Sequence, residues 1–397
     1  MRSGGARKGF RSMMPMLLLE EKQSASNRTP RHINRNLIFN QIRIRQPISR
    51  ADLARTSGLQ RSTVSLIVEE LLRERWILEG LTGDAPRGRK PTGLVVNDKR
   101  TVLAVDVHPS QTTLAVADVS GRITTQKQLQ LPSDPKKVLR AIVSAIKKLI
   151  SEHGDCSFEG IGLTVPGRFS HQLKKTVFAP NIGWPIAQIK FRVEEATGLP
   201  VVVDNVANAC VLSEVWFGST DEMHDIVLVN ISEGIGTGIF VNGGLVRGAG
   251  EMAGEFGHVQ MDPEGIPCGC GSRGCWETLA SNRAGLRYYK EITGESLASM
   301  DDLLDLVERD DPSAIDAITR MCRALGRGIH MIGTTLAPSE IVLVGEFTRA
   351  WSRVHPIVWD ELRKFPLSSL PTLRMATEPD TARLRSGVAL VMSEKLL

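Results

Sequence analysis

The stretch GEFGHVQMDPEGIPCGCGSRGCWE, Gly254–Glu277, carries three of the chain's six cysteines within eight positions, Cys268, Cys270 and Cys275. Three readings are open for such spacing: a disulfide knot, a reactive thiol centre or a metal cradle. Compartment bears on the choice, because thiols stay reduced inside most cells and pair outside them. The N-terminal run MMPMLLLEEK, Met13–Lys22, has a short apolar core closed at once by Glu20 and Glu21, which does not suit a secretory signal. The expectation is a disordered leader over residues 1–29, or a start at Met13 or Met14, on a cytoplasmic protein with reduced thiols. That counts against the knot. The chain has no run of about 18 apolar residues, so no membrane-spanning helix is expected. Gly269, Gly271 and Gly274 allow the tight backbone path that closely set thiolates need. Cys156, Cys210 and Cys322 fall on apolar faces and are expected in the core.

Upstream, a net charge of +5 conceals an asymmetry. Residues 1–100 hold 20 Lys+Arg against 9 Asp+Glu, or +11, and the other 297 hold 29 against 35, or −6. A basic first quarter on a mildly acidic body suggests a nucleic-acid-binding head. Its pattern supports this. Ile33, Leu37, Ile38, Ile42 and Ile44 recur at roughly helical spacing until Pro47. Ser49 with Asp52 three residues on is a capping-box pattern, opening a short helix that buries Leu53 and Ala54. Gly58 supplies a turn and Leu59 an apolar plug. A second helix then buries Val64, Ile67, Val68, Leu71 and Leu72. Two short helices about a glycine turn make a helix-turn-helix. Arg61, Ser62, Thr63 and Ser65 lead the second helix outward, where small and basic hydrogen-bonders suit a major groove. WILEG and PRGRKPTGLVV read as strand, turn and returning strand. Arg87, Arg89 and Lys90 at the tip of this wing suit a narrow minor groove. The alternatives are a helical hairpin used only for packing and a solvated basic tip.

From Thr101 the pattern becomes α/β. TVLAVDVH is an apolar strand ending on Asp106, followed by two strands about Ser120-Gly121, a helix near residues 136–150, and strands at IGLTVPG and VVVDN. A second strand-hairpin series starts at DIVLVNISEGIGTGIFVNGGLVRG, and IVLVGEF with a helix at about 381–396 closes the chain. Two comparable series suggest a duplicated body with a cleft between lobes.

Together SRADLARTSGLQRSTVS, GRKP, TVPG, APNIGW, ISEGIGTGIF, GEMAGEFGH and the cysteine run resemble the ROK family, whose members are sugar kinases or winged-helix repressors. The resemblance runs from about residue 30 onward. It implies an α/β chain with a winged helix-turn-helix over 30–97 and a two-lobed, actin-like (ribonuclease H-like) ATPase-type body over 98–397. It supplies His258 as a fourth ligand, completing with Cys268, Cys270 and Cys275 a closed tetrahedral set for a structural Zn2+ that leaves no position for a catalytic water. It also implies that Glu255, His258 and Glu277 face a sugar, with Asn181 and Asn205 as further contacts and Gly167 allowing close approach. Helix-cap or turn duty is the other reading of the two asparagines.

Kinases of the family carry Asn-Asp-Ala-Asn, whose aspartate takes the sugar's proton. Aligning the asparagines on Asp204-Asn205-Val206-Ala207-Asn208 puts Val206 at that general-base position, and a valine accepts no proton. The first phosphate loop, Asp-x-Gly-Gly-Thr in kinases, reads Asp106-Val107-His108-Pro109-Ser110 here, and of the adenosine-side glycines only Gly345 remains. Gly234-Ile235-Gly236-Thr237-Gly238 survives. The expectation is a non-catalytic, sugar-responsive repressor of carbohydrate genes. Its expected partners are operator DNA and a sugar or sugar phosphate, and its expected assembly a homodimer or homotetramer. A residual sugar kinase and a regulator that senses a protein partner are the alternatives.

Overall fold

The structure, a computed structural model, describes residues 28–80, 93–109, 111–179, 182–184, 186–218, 225–364 and 370–396. The head comprises α1 (Arg28–Arg45), α2 (Arg50–Ser57), α3 (Arg61–Arg73) and the antiparallel pair β1 (Ile77–Gly80) and β2 (Gly93–Val96). Helix α1 begins inside the stretch expected to be leader. Its inward side is Ile38, Phe39 and Ile42, all fully buried, whereas Ile44, expected on that side, is half exposed. The reason is helical geometry: Ile44 stands two residues past Ile42, about 200° round the helix, and so faces away from the side that Ile38 and Ile42 bury.

Ser49 caps α2 as expected, accepting the Asp52 N–H at 3.1 Å, but its hydroxyl also donates to the Asp52 carboxylate at 2.7 Å. The capping box is thus closed through the hydroxyl. Gly58 ends α2 at φ 70°, and Gln60 starts α3 without a side-chain cap. Leu53, Val64, Ile67, Val68 and Leu71 are buried between the helices. The wing tip lies within 81–92, outside the described residues.

The body holds two five-stranded sheets. The first comprises β3 (Arg100–Val107), β4 (Gln111–Asp118), β5 (Ile123–Gln130), β6 (Ser157–Val165) and, after a β7 (Arg168–Ser170) and β8 (Lys175–Phe178) hairpin, β9 (Val201–Asn205). Helices α4 (Pro135–Glu152) and α5 (Ile189–Thr197) cover one face, and α6 (Val206–Phe217) follows β9. The second sheet comprises β10 (Ile226–Ile231), β11 (Ile235–Val241), β12 (Gly244–Leu245), β13 (Glu340–Val344) and β14 (Thr372–Met375). Between β12 and β13 stand α7 (Trp276–Ala280), α8 (Asn282–Thr293), α9 (Met300–Glu308) and α10 (Pro312–Leu336). Helix α11 (Trp351–Arg363) precedes β14, and α12 (Ala382–Leu396) ends the chain.

The sheet orders are β5-β4-β3-β6-β9 and β12-β11-β10-β13-β14. Each is a meander of three antiparallel strands whose first strand pairs in parallel with the fourth, and the fourth with the fifth. The duplication read from the sequence is therefore present strand for strand. The lobes also exchange a helix: α6 leaves the first sheet but packs on β10 and β11, and α12 leaves the second but packs on β3 and β6. At the second crossing the backbones touch, since a Cβ on Gly162 would stand 1.7 Å from the Gly387 carbonyl oxygen. Helices α6 and α12 lie together, with the Trp216 indole donating to the Ser393 hydroxyl at 2.7 Å.

The same apolar cluster continues into the head, where Arg43 of α1 donates to the Trp216 carbonyl at 2.6 Å. Arg100 of β3 lies 3.8 Å over the Trp76 ring. Among the described residues no helix is long and apolar enough to cross a membrane. Cys210 and Cys322 are core residues as expected, but Cys156 is half buried in the turn before β6, beside Asp155, because the apolar run begins only after it.

Candidate functional site

A cavity of about 110 Å3 opens between the lobes, and it gathers Gly167, Asn205, Val206, Glu255, His258 and Glu277. The first three come from the ends of β6 and β9 and the start of α6. Glu255 and His258 come from the segment between β12 and α7, and Glu277 from the first turn of α7. Gly167 sits at φ 86°, and a Cβ there would meet the Phe178 carbonyl oxygen at 2.1 Å, so the β7–β8 hairpin itself demands the glycine. Asn205 both lines the cavity and caps α6: its Oδ1 accepts the Ala207 N–H at 2.7 Å and its Nδ2 donates to the Gly167 carbonyl at 2.5 Å. The cap reading of Asn205 therefore holds alongside its place in the cavity. Asn181 lies outside the described residues.

The cysteine segment is a compact double turn. Gln260 bridges to Cys275 and Pro267 to Arg273, and the Trp276 N–H reaches the Val259 carbonyl at 2.9 Å. Trp276, fully buried, donates its indole N–H to the Ala324 carbonyl of α10 at 2.9 Å, anchoring the segment to the second lobe. The ligand atoms of His258, Cys268, Cys270 and Cys275 all lie within 4.8 Å of one another. Cys270 Sγ is 3.7 Å from Cys275 Sγ, and Cys268 Sγ is 3.6 Å from His258 Nδ1. Tetrahedral zinc with bonds near 2.3 Å to sulfur and 2.0–2.1 Å to nitrogen has edges of about 3.8 and 3.6 Å, so the donors fit a metal of that kind. His258 thus turns Nδ1 toward the cysteines, while its Nε2 lies 3.8 Å from Glu255 on the cavity side. Glu277, next but one to Cys275, carries the cavity's other carboxylate.

The end of β3 meets a residue from the last helix of the chain. Asp106 is buried, and Arg383, in the first turn of α12, approaches it with Nε at 3.0 Å and Nη2 at 3.3 Å. His108 Nε2 stands 2.9 Å from the same carboxylate and the Thr164 hydroxyl 2.8 Å. Burial alone would push the Asp106 carboxyl up, but Arg383 and His108, with the hydrogen bonds from His108 and Thr164, hold it well below the usual carboxylate range. Arg383 also lines the cavity, and its Nη1 is buried without a hydrogen-bond partner among the described residues, as is Asn230 Oδ1.

Sequence reasoning missed Arg383, which stands 277 residues from Asp106. The available signal was local: a cation in the first turn of a helix opposes the macrodipole and so asks for a nearby anion. Asp204 is not among the residues lining this cavity; it pairs with Arg247 Nη2 of the other lobe at 2.7 Å and stands 3.4 Å from His171 Nε2. Gly234 lines the cavity opposite Glu277, whereas Gly238 packs against the start of α6.

In the head, Arg61 and Ser62 are exposed at the start of α3, and Thr63 and Ser65 are half buried beside them. Arg87, Arg89 and Lys90 lie outside the described residues.

Residues 102–389 match the ROK family along almost the whole body. The chain belongs to the ROK family. Within it, the chain is 32% identical over 335 residues to the xylose repressor of Bacillus subtilis, covering 83% of this chain and 85% of that one. A ROK-family transcriptional regulator described as a homologue of the Escherichia coli MLC protein superposes with a TM-score of 0.74 at 26% identity, covering 92% of this chain and 96% of that one. A ROK-family glucokinase from Streptomyces griseus, solved with glucose and AMPPNP, superposes at 0.66 with 28% identity, covering 73% and 98%. The regulator likeness extends over more of this chain than the kinase likeness does. The fold is that of a ROK regulator, a DNA-binding head on an actin-like body.

Proposed function

We propose that the protein is a sugar-responsive transcriptional repressor of carbohydrate genes, whose body binds its sugar without phosphorylating it. The observation that carries the reading is the composition of the interlobe cavity. Two carboxylates, a histidine and a helix-capping asparagine converge there, and such groups suit sugar hydroxyls. Val206, which the family resemblance aligns with the kinases' general base, lines the cavity with an aliphatic side chain. The carboxylate on the nucleotide side, Asp106, is already paired with Arg383.

Zinc held by His258, Cys268, Cys270 and Cys275 would fix the Glu255–Glu277 segment in place, a structural role with no open position for chemistry. Arg61, Ser62, Thr63 and Ser65 would read base edges, with Arg87, Arg89 and Lys90 of the wing beside them. A homodimer or homotetramer would match a two-fold operator.

Relatives named xylose repressor make xylose the first sugar to test. The experiment is operator binding by fluorescence anisotropy across a sugar panel, with a coupled ATP assay on the same preparation. A sugar that changes operator affinity without consuming ATP is the expected result. ATP consumption at about 1 s⁻¹ or faster, a working enzyme's rate, would make the chain a kinase instead. No response to any sugar, with DNA binding intact, would favour a protein partner as the signal.

A further inference from the structure

A second cavity, of about 630 Å3, lies between the head and the body. It is lined by Arg43 of α1, Ser120 and Arg122 of the β4–β5 turn, Phe217 at the end of α6, and Thr381 and Arg385 at the start of α12. That volume is in the range of small-molecule sites.

Its charges do not balance. Arg122 is paired with Asp118 at 3.1 Å and Arg385 with Glu378 at 3.2 Å. Among the described residues Arg43 has no carboxylate. Its guanidinium donates to the Trp216 carbonyl, reaches Asn40 Oδ1 at 3.4 Å, and lies 5.3 Å from the centre of the Phe217 ring. The Arg385 guanidinium lies 5.0 Å from the centre of the same ring. The Arg385 side chain is 6% exposed, and its Nε lacks a hydrogen-bond partner among the described residues. Its carboxylate partner, Glu378, also lines the cavity and is 65% exposed, so the two carboxylates that pair with the cavity's arginines, Asp118 and Glu378, leave one of the three guanidiniums unmatched. Burial, and then the proximity of Arg385, pull the Arg43 pKa down to about 10. A buried cation without a counter-charge is costly, and two set against one ring call for an anion.

We propose that this cavity binds a small anion bearing a phosphate group, held by Arg43 and Arg385 at a site separate from the sugar pocket. Guanidiniums present planar, paired donors that match phosphate oxygens. Arg43 belongs to the head and Arg385 to the body, so an anion held by both ties the two together. Inorganic phosphate and a phosphorylated metabolite share this chemistry.

Isothermal titration of the full chain with inorganic phosphate and, separately, with glucose 6-phosphate tests the site. Saturable binding is expected, weakened roughly tenfold or more in Arg43→Gln, since a hydrogen bond to a charged group is lost. Arg385→Gln should weaken it similarly, and Arg43→Gln alone suffices if the buried Arg385 variant fails to fold. Glu277→Gln, altered in the sugar pocket, should bind phosphate as the parent does. Equal affinities for the two probes assign the free ion, and tighter glucose 6-phosphate that Arg43→Gln weakens and Glu277→Gln leaves unchanged assigns a phosphorylated metabolite; both uphold the site. Absence of saturable binding by either probe, unchanged affinity in Arg43→Gln, or loss in Glu277→Gln would overturn it. The sugar-sensor reading is judged apart from this, by free-sugar titration, which engages neither arginine.

Discussion

Replacing Arg383 by methionine removes the cation that stabilises Asp106 while keeping most of the side chain's volume. The Asp106 side chain is 5% exposed, so water does not replace the lost partner. Breaking a buried pair from one side costs about 3–5 kcal/mol. His108 at 2.9 Å and the Thr164 hydroxyl at 2.8 Å remain, which places the expected loss near the lower end, about 3 kcal/mol. Urea unfolding followed by circular dichroism reads it as a lower midpoint. The double change Asp106→Asn with Arg383→Met removes both charges and should recover most of the loss.

The pH dependence has a definite sign. In the parent, the depressed carboxyl contributes stability that is fully present above the unfolded value, about 3.9, and is lost as pH falls through the lower folded value. In Arg383→Met, burial raises the carboxyl instead, so the deficit against the parent should shrink as pH is lowered from neutrality toward about 4. A loss below about 1 kcal/mol at neutral pH, a double variant worse than the single, or a deficit that grows on acidification would refute the assignment of Arg383 as the counter-ion.

Other expectations are more direct. Elemental analysis should find one zinc per chain, and Cys275→Ser should lose it, weakening the sugar response more than operator binding; freely titratable thiols at Cys268, Cys270 and Cys275 in the folded protein would contradict this. Val206→Asp alone should not produce sugar phosphorylation in a coupled ATP assay, because Arg383 still occupies the nucleotide side. Arg61→Ala should cost roughly 1–3 kcal/mol of operator affinity and relax preference at one position per half-site, measured over a panel of operator variants. Equal loss on every sequence would make Arg61 a phosphate contact.

The head and the three-stranded meander of each sheet were legible because their signals are local. Ser49, Gly58 and the Val64–Leu71 spacing fix a helix-turn-helix within about 25 residues, and alternating apolar runs mark each strand of the two meanders. The cysteine trio was legible for the same reason, but its fourth donor, His258, came only through family resemblance. Local spacing does not say which histidine folds back. What escaped depends on the exchange of helices between lobes. Nothing near Asp106 announces Arg383, nothing near Arg43 announces Trp216, and Cys156 was assigned to the core because an apolar stretch begins right after it. Ile44 is a different case, since its place two residues past Ile42, away from the buried side of the helix, was legible from strict helical spacing.

Helix α6 begins at the interlobe cavity and ends against the head. Asn205 caps it in the interlobe cavity, and eleven residues later its Trp216 carbonyl accepts the head's Arg43. At 1.5 Å per residue the two points are about 16 Å apart, joined by an element with no loop in which displacement could dissipate. Thermodynamic linkage then works in both directions. Whatever factor a bound sugar applies to operator affinity, the operator must apply to sugar affinity. A sugar constant measured on the free protein would not describe the protein on its promoter, and the gap between the two values would measure the free energy passed between pocket and head.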